Sequence, residues 1–348
     1  MRNQNPKEII MNLSDAKPLM RYAGDSDFCE WQISAREKLR ELLGLDVIAQ
    51  CEDDLKIISV KDCGDYTDTY FSFQSEPDYY VPCHILKLKN TKEKLPVLLC
   101  LQGHSTGMHI SIGEPKYDGD KDNIASGDRD YARIAVGKGY CAVTVEQRYM
   151  GECGGTEKGP GCLHRPNDGI NALPALLFGR TAIGERVHDV LRAIDVITNT
   201  AYPLFDCIAA DDVMITGNSG GGTTSFYAAC IDERIKYAVP SCSVCKYKDS
   251  IIDISHCACN YIPSAARYFD MCDLAGLIAP RGLIIVAGKE DEIFPIGAVK
   301  ETYGFAKSLF EKADAENKIN LVIGNGGHRY YAEEAFGALE AMKNRRSV

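Results

Sequence analysis

The stretch DVMITGNSGGGTTSFYAAC, residues 212–230, reads as three pieces: a short apolar run, the pattern Gly217-Asn218-Ser219-Gly220-Gly221, and a segment able to continue as a helix. A serine hydroxyl is a poor nucleophile until a base takes its proton and its oxygen is held out of the fold. A sharp strand-to-helix turn does the second of these, provided the residues two positions to either side are small. Gly217 and Gly221 meet that demand, and the start of the following helix aims backbone N–H groups at a developing oxyanion.

A second stretch, LPVLLCLQGHSTGMH at residues 95–109, carries the same five-residue pattern at Gly103-His104-Ser105-Thr106-Gly107. It too follows an apolar run. What comes next, TGMHISIGEP, is a poor helix, with two glycines, β-branched residues and then Pro115. Context therefore selects Ser219 as the nucleophile. The stretch around Ser105 suits a different role. In a strand-to-helix elbow one oxyanion donor is the N–H after the nucleophile, here Gly220. The other comes from a loop after an earlier strand, which points to the His104 N–H, with Ser105 as the neighbouring possibility.

Working outward, PVLLCLQ (96–102), YCAVTVE (140–146), DVMITG (212–217), KYAVPS (236–241), GLIIVAG (282–288) and NLVIG (320–324) are short and solidly apolar, as strands buried on both faces are. Helical patterns lie between several of them. In IGERVHDVLRAIDVI (183–197), Ile183, Val187, Val190, Leu191, Ile194 and Ile197 form one stripe, and VKETYGFAKSLFEKA (299–313) is a second such segment. Alternation of this kind predicts an α/β fold with a mostly parallel central sheet flanked by helices.

Ahead of it, LKIISV (55–60), TYFSFQ (69–74) and YYVPCHILKL (79–88) read as antiparallel lead-in strands. Residues 27–43 place Phe28, Trp31, Ile33, Leu39 and Leu42 near helical spacing and stop at Gly44, so residues 1–50 are expected to form a helical N-terminal arm. The main domain is then 51–348, with loop insertions at 105–127, 149–180 and 242–275. Loops of this length are usually disordered or shape a site, and the second is favoured because sites in parallel sheets gather at the carboxyl ends of the strands.

A base for Ser219 is sought downstream, in chain order serine, acid, histidine. Among the seven histidines only His256 and His328 lie beyond Ser219. His328 follows the last apolar run in NLVIGNGGHRYY, where Gly326 and Gly327 let the loop turn an imidazole over the sheet. The acid candidates are Asp253, Asp270, Asp273, Glu290, Asp291 and Glu292. Asp291 is preferred, with Glu290 and Glu292 as substitutes, since the three follow the strand GLIIVAG.

The insertion 242–275 is placed to cap the pocket, with His256 lining it. Arg148 and Glu146, after another strand end, either contact substrate or hold their loop. His109, His164 and His188 read as surface or packing residues.

The stretches GRTAIGERVHDVLRAIDVI, VMITGNSGGG, HCACNYIPSAARYFDMCDLAGLIAPRGLIIVAGKEDEIFPI and GNGGHRYY together resemble the dienelactone hydrolase and acetyl xylan esterase-like branch of the α/β-hydrolases. The resemblance runs from about residue 80 to 340, and WQISAREKLRELLGL extends it into the arm. It implies an α/β-hydrolase fold, a Ser219-Asp291-His328 triad, an oxyanion hole at His104 and Gly220, and a carboxylesterase or deacetylase that needs no cofactor. Two departures stand out: Gln102-Gly103-His104 where an H-G pair is usual, and Pro280-Arg281-Gly282 in place of Pro-Arg-Pro.

Bulk properties narrow the partners. The chain has 348 residues, 45% hydrophobic and 25% charged, and a net charge of −10 without a basic block, which argues against nucleic acid and anionic membranes. No secretory core is evident in MRNQNPKEIIMNLSDAKP, so a cytoplasmic location and a small soluble ester or lactone are expected rather than polymeric xylan. Fifteen cysteines in a reducing compartment read mostly as small buried hydrophobes. The pairs Cys242/Cys245 and Cys257/Cys259, with His256, have zinc-like composition, but Cys-Ala-Cys is tighter than usual ligand spacing, so no metal is expected there. The reading is a serine-dependent carboxylic ester hydrolase acting through an acyl-enzyme. Its alternatives are the same triad on a lactone, thioester or C–C bond, acyl transfer, and a non-catalytic hydrolase-like binding protein.

Overall fold

Strand by strand, the apolar runs divide their side chains between two cores. On β4 (Leu95–Leu101), Val97, Leu99 and Leu101 enter one core while Leu98 and Cys100 enter the other. The same alternation repeats on β5 (Cys141–Val145), β6 (Ile208–Asn218) and β8 (Gly282–Gly288). A period of two with both faces buried is what a central parallel sheet requires. The computed structural model describes residues 5–24, 26–154 and 172–345.

With β1 (Lys56–Asp62), β2 (Tyr66–Glu76), β3 (Tyr79–Leu88), β7 (Ile235–Ser241) and β9 (Ile319–Gly324), the strands form one nine-stranded sheet in the order β1-β2-β3-β5-β4-β6-β7-β8-β9. From β5 to β9 neighbours are parallel; β1, β2 and β3 pair antiparallel, and β3 joins β5 antiparallel. The lead-in strands thus extend the main sheet. The edge strand β1 is exposed along its whole length.

The helices are α1 (Pro6–Leu13), α2 (Phe28–Leu43), α3 (Asp120–Gly127), α4 (Tyr131–Gly137), α5 (Leu173–Leu176), α6 (Ala182–Thr198), α7 (Gly220–Ile231), α8 (Ala265–Tyr268), α9 (Met271–Ala275), α10 (Ile296–Lys312) and α11 (Ala332–Asn344). Residues of α4 and α11 build one core, and those of α2, α6, α7 and α10 build the other. No helix among the described residues is long and apolar enough to cross a membrane.

The arm differs in detail from the sequence expectation. Asp27 caps α2 by accepting from the N–H groups of Cys29 and Glu30, and Gly44 ends it in the left-handed region at φ 75°. The buried stripe is Phe28, Trp31, Ala35, Leu39 and Leu43, whereas Ile33 is exposed and Leu42 only half-buried. Two residues past Trp31, Ile33 is turned some 200° away from it, onto the solvent side. The Gln32 amide donates to the carbonyls of Gly276 and Ala279 at 2.7 Å each, tying the arm to the end of α9.

Residues 105–127, expected as a loop, contain α3 and bury Met108, Ile110 and Ile112. Of the expected insertion at 149–180, residues 155–171 lie outside the described residues, His164 among them. Nine of the fourteen described cysteines are buried.

Candidate active site

Three strand ends build the site. At the first, β6 passes into α7 through Ser219, which holds φ 54° and ψ −120°. A residue with a side chain seldom adopts that conformation, and where it is held the surroundings must enforce it. The Ser219 N–H donates to Ser241 O on β7 at 2.9 Å, and Thr223 N–H donates to Ser219 O at 2.8 Å. The elbow glycines are sterically required: a Cβ on Gly221 would overlap Leu101 O at the end of β4, and one on Gly217 would overlap the Gly221 backbone. Gly220 is the first residue of α7, so its N–H has no partner within the helix.

The second strand end is β8. The Asp291 carboxylate is buried; Oδ1 accepts from the N–H groups of Ile293 and Phe294 at 2.8 and 3.1 Å, and Oδ2 lies 2.9 Å from His328 Nδ1. Burial works against its charge, but His328 and the two backbone donors outweigh it, and the carboxyl sits below its ordinary value. Glu290 and Glu292, adjacent on either side, point to solvent. Asp253 is exposed, Asp273 pairs with Arg21 at 2.8 Å, and Asp270 caps α9, so none of these reaches His328.

His328 hangs from the third strand end, after β9. This loop is stitched to that of β8 by Lys289 N–H to Gly324 O and Glu290 N–H to Gly326 O, at 2.9 and 2.8 Å. The Phe294 ring stacks on the imidazole with centroids 6.0 Å apart. With Nδ1 turned to Asp291, Nε2 is the ring nitrogen left for the cavity.

Ser219 and His328 line one cavity of about 300 Å³, together with Gly103, His104, Ser105 and Gly220. The β4 loop runs against the elbow so closely that a Cβ on Gly103 would come within 2.9 Å of Asn218 O. Ser105 lines the same cavity, and the segment after it forms the 3₁₀ turn Met108–Ile110 rather than a helix. His256 also lines the cavity: its Nε2 lies 3.0 Å from Ser250 Oγ, and its ring meets Phe294 edge-on at 5.5 Å. Burial, reinforced by neighbouring His104, pushes His256 down to about 4, so it is neutral near pH 7.

Arg148 is a correction. The residue is 6% exposed and its guanidinium is fully committed: Nε and Nη2 donate to Asp189 at 2.7 and 2.8 Å, Nη1 pairs with Glu76, and the group lies over the Tyr79 ring. It braces β2 against α6 and does not line the cavity. Its partners are distant in sequence, so the single residue gave no sign of them.

Glu146 likewise braces a loop. It accepts from the N–H groups of Met108 and Glu152 and from the Gln102 amide, and burial pushes it up to about 8 against those donors. His109 is a buried packing residue bound to Asp120 at 2.9 Å, and His188 contacts Ser75 O at 2.9 Å.

Three features escaped sequence reasoning. Arg129 lines the cavity, with Nη1 on Asn123 O at 3.0 Å and no carboxylate partner among the described residues. Phe294 fixes the face of His328. His104 Nε2 lies 3.2 Å from Cys259 Sγ, and the two cysteine pairs weighed and set aside as a zinc site, Cys242 with Cys245 and Cys257 with Cys259, do not cluster together among the described residues. Cys242 lies instead beside Asp291 and His328. No local spacing signals any of these, because each joins separate strand ends or loops.

The Abhydrolase family model matches residues 7–168, a segment that ends before Ser219. "Putative hydrolase YtaP" of Bacillus subtilis (strain 168) is 27% identical over 157 residues, 44% of this chain and 50% of that protein, so the match spans half the length of the curated relative. Among solved structures, that of "a putative acetyl xylan esterase" from Bacteroides fragilis superposes over 100% of this chain and 86% of the other, at TM-score 0.73 and 15% identity. A glucuronoyl esterase from Solibacter usitatus does so over 95% and 97%, at TM-score 0.68 and 15% identity. At these identities the likeness bears on fold, and the chain has the α/β-hydrolase fold.

Proposed function

We propose that this chain is a serine hydrolase cleaving a carboxylic ester of a small soluble substrate. One observation carries the reading. Ser219 is held in a left-handed turn between strand and helix, on the cavity that His328 enters while bonded to Asp291.

In the reaction the Ser219 hydroxyl adds to the ester carbonyl as His328 Nε2 takes its proton, giving a tetrahedral oxyanion. The N–H groups of Gly220 and His104 receive that charge, and one such donor is worth about 3 kcal/mol in the transition state. Collapse expels the alcohol, which leaves with the proton from His328. Water, deprotonated by the same imidazole, then releases the acid and restores Ser219. Asp291 keeps the proton on Nδ1 and stabilises the imidazolium. These steps use side chains and backbone alone. The cavity is small, and Arg129 supplies positive charge at its wall, which suits a compact ester bearing an anionic group.

A fluorophosphonate probe is expected to label Ser219, with labelling lost in Ser219→Ala. A panel of p-nitrophenyl acyl esters, acetylated sugars and lactones then identifies the acyl and alcohol groups. Turnover abolished by Ser105→Ala but kept in Ser219→Ala would reverse the assignment, and a folded protein that takes no label and turns over no ester would end it.

A further inference from the structure

We infer that His104, Cys257 and Cys259 form a three-ligand site for a soft divalent cation, zinc by its donor set, at the edge of the catalytic cavity.

The ligand atoms, one imidazole nitrogen and two sulfurs, all lie within 4.8 Å of one another. They come from two loops far apart in sequence, the β4 strand-end loop and the segment preceding α8. The His104 Nε2 to Cys259 Sγ separation of 3.2 Å is close to the roughly 3.5 Å that a tetrahedral zinc imposes between a nitrogen and a sulfur ligand. Thiolate and imidazole donors select a soft or borderline ion over magnesium or calcium, which prefer oxygen. Three protein ligands leave a fourth position, and two of them, His104 and Cys257, line the cavity.

A second observation points to the same place. Arg186, 1% exposed, donates through Nε to Arg148 O at 3.0 Å, but its two terminal nitrogens are buried with no oxygen acceptor among the described residues. The acceptor beside that guanidinium is the Cys259 sulfur, close enough for a weak hydrogen bond to the thiol. A neutral thiol is a weak acceptor for a buried guanidinium, and a metal-bound thiolate in the same place is a much stronger one. The charges permit it: a dication with two thiolates sums to zero, so loading the site adds no net charge beside Arg186. Binding releases the two thiol protons to solvent.

The site would tie the β4 loop to the capping segment 254–260. Since His104 also offers its peptide N–H toward the oxyanion in the reaction proposed above, the ion would set the position of that donor. The second cluster, Cys242 with Asp291 and His328, is the natural competitor for an added metal.

The test uses the full chain, stripped with a chelator under reducing conditions and titrated with Zn²⁺ alone or Co²⁺ alone. One ion per chain is expected, with a thiolate-to-cobalt charge-transfer band and a higher melting temperature on zinc loading. The band should vanish in a Cys257→Ser/Cys259→Ser double variant and persist in Cys242→Ser. His104→Gln, at a half-exposed position that threatens folding less, should weaken zinc binding at least tenfold. Absence of stoichiometric binding, or binding that survives the double variant and is lost in Cys242→Ser, overturns the proposal. These readouts are independent of ester turnover, so they separate the fate of this site from that of the hydrolase reading.

Discussion

Asp291 Oδ2 and His328 Nδ1 stand 2.9 Å apart although 37 residues separate them, and the other oxygen of the same carboxylate is locked by two backbone N–H groups. The acid therefore has no freedom to turn, and the imidazole inherits its orientation. In Asp291→Asn the amide presents N–H to Nδ1, which must then act as acceptor and carry its proton on the wrong nitrogen. The expected loss in kcat is about 10⁴-fold, with melting temperature changed far less, measured on a p-nitrophenyl ester.

Glu146 predicts a pH dependence of stability. Its carboxyl is pushed up to about 8 in the fold, against an ordinary value of 4.5. Between those values the native state holds a proton that the unfolded chain has lost, so its contribution is complete below about pH 4.5 and is lost as pH rises toward 8. The slope is about 1.4 kcal/mol per pH unit across the middle of that window. Urea denaturation from pH 5 to 8 should show the decline in the natural chain and a flatter profile in Glu146→Gln; identical slopes would refute the assignment.

Gly221→Ala tests the elbow's steric demand. The new methyl has no room beside Leu101 O, so either β4 or the α7 start must shift. Destabilisation of about 3 kcal/mol or more is expected by denaturant titration, well beyond a normal glycine-to-alanine change in a helix, which would be favourable.

Arg148→Met separates bracing from binding. Removing the guanidinium leaves Asp189 and Glu76 buried with one cation fewer, a loss on the order of 3–5 kcal/mol. Stability should fall by that amount while KM of the protein still folded at low temperature stays within about twofold, since the group lies off the cavity.

Arg129→Gln should behave in the opposite way. With only a backbone carbonyl as its hydrogen-bonded partner among the described residues, Arg129 contributes little to the fold. If it meets an anionic substituent, its loss raises KM for a carboxylate-bearing ester about tenfold or more and leaves the neutral methyl-capped analogue nearly unchanged. Equal effects on both esters would remove Arg129 from substrate recognition.

The strands were legible because burial on both faces leaves continuous apolar runs, and the observed boundaries of β4, β5, β7, β8 and β9 fall within two residues of those runs. The helix stripe in 183–197 was legible for a similar reason, whereas the α2 stripe was misread at Ile33. There a lone isoleucine on the solvent side imitated a core position, and Ala35, small and easily overlooked, held the true one. Residues 105–127 looked like loop because their helix is short and polar, and their burial comes from packing that composition does not express.

By itself the sequence determined the alternation of strands and helices and the one place where a serine can sit between glycines at a strand-to-helix turn. Both are local: they depend on side-chain period and on backbone room within a few residues. Only the tertiary structure decided which of three consecutive acids turns inward to His328, that Arg148 is spent on Asp189 and Glu76 while Arg129 faces the cavity, and that His104 meets Cys257 and Cys259. Those relations arise where separate strand ends converge at one rim of the sheet, and distance across a fold is not written in distance along a chain.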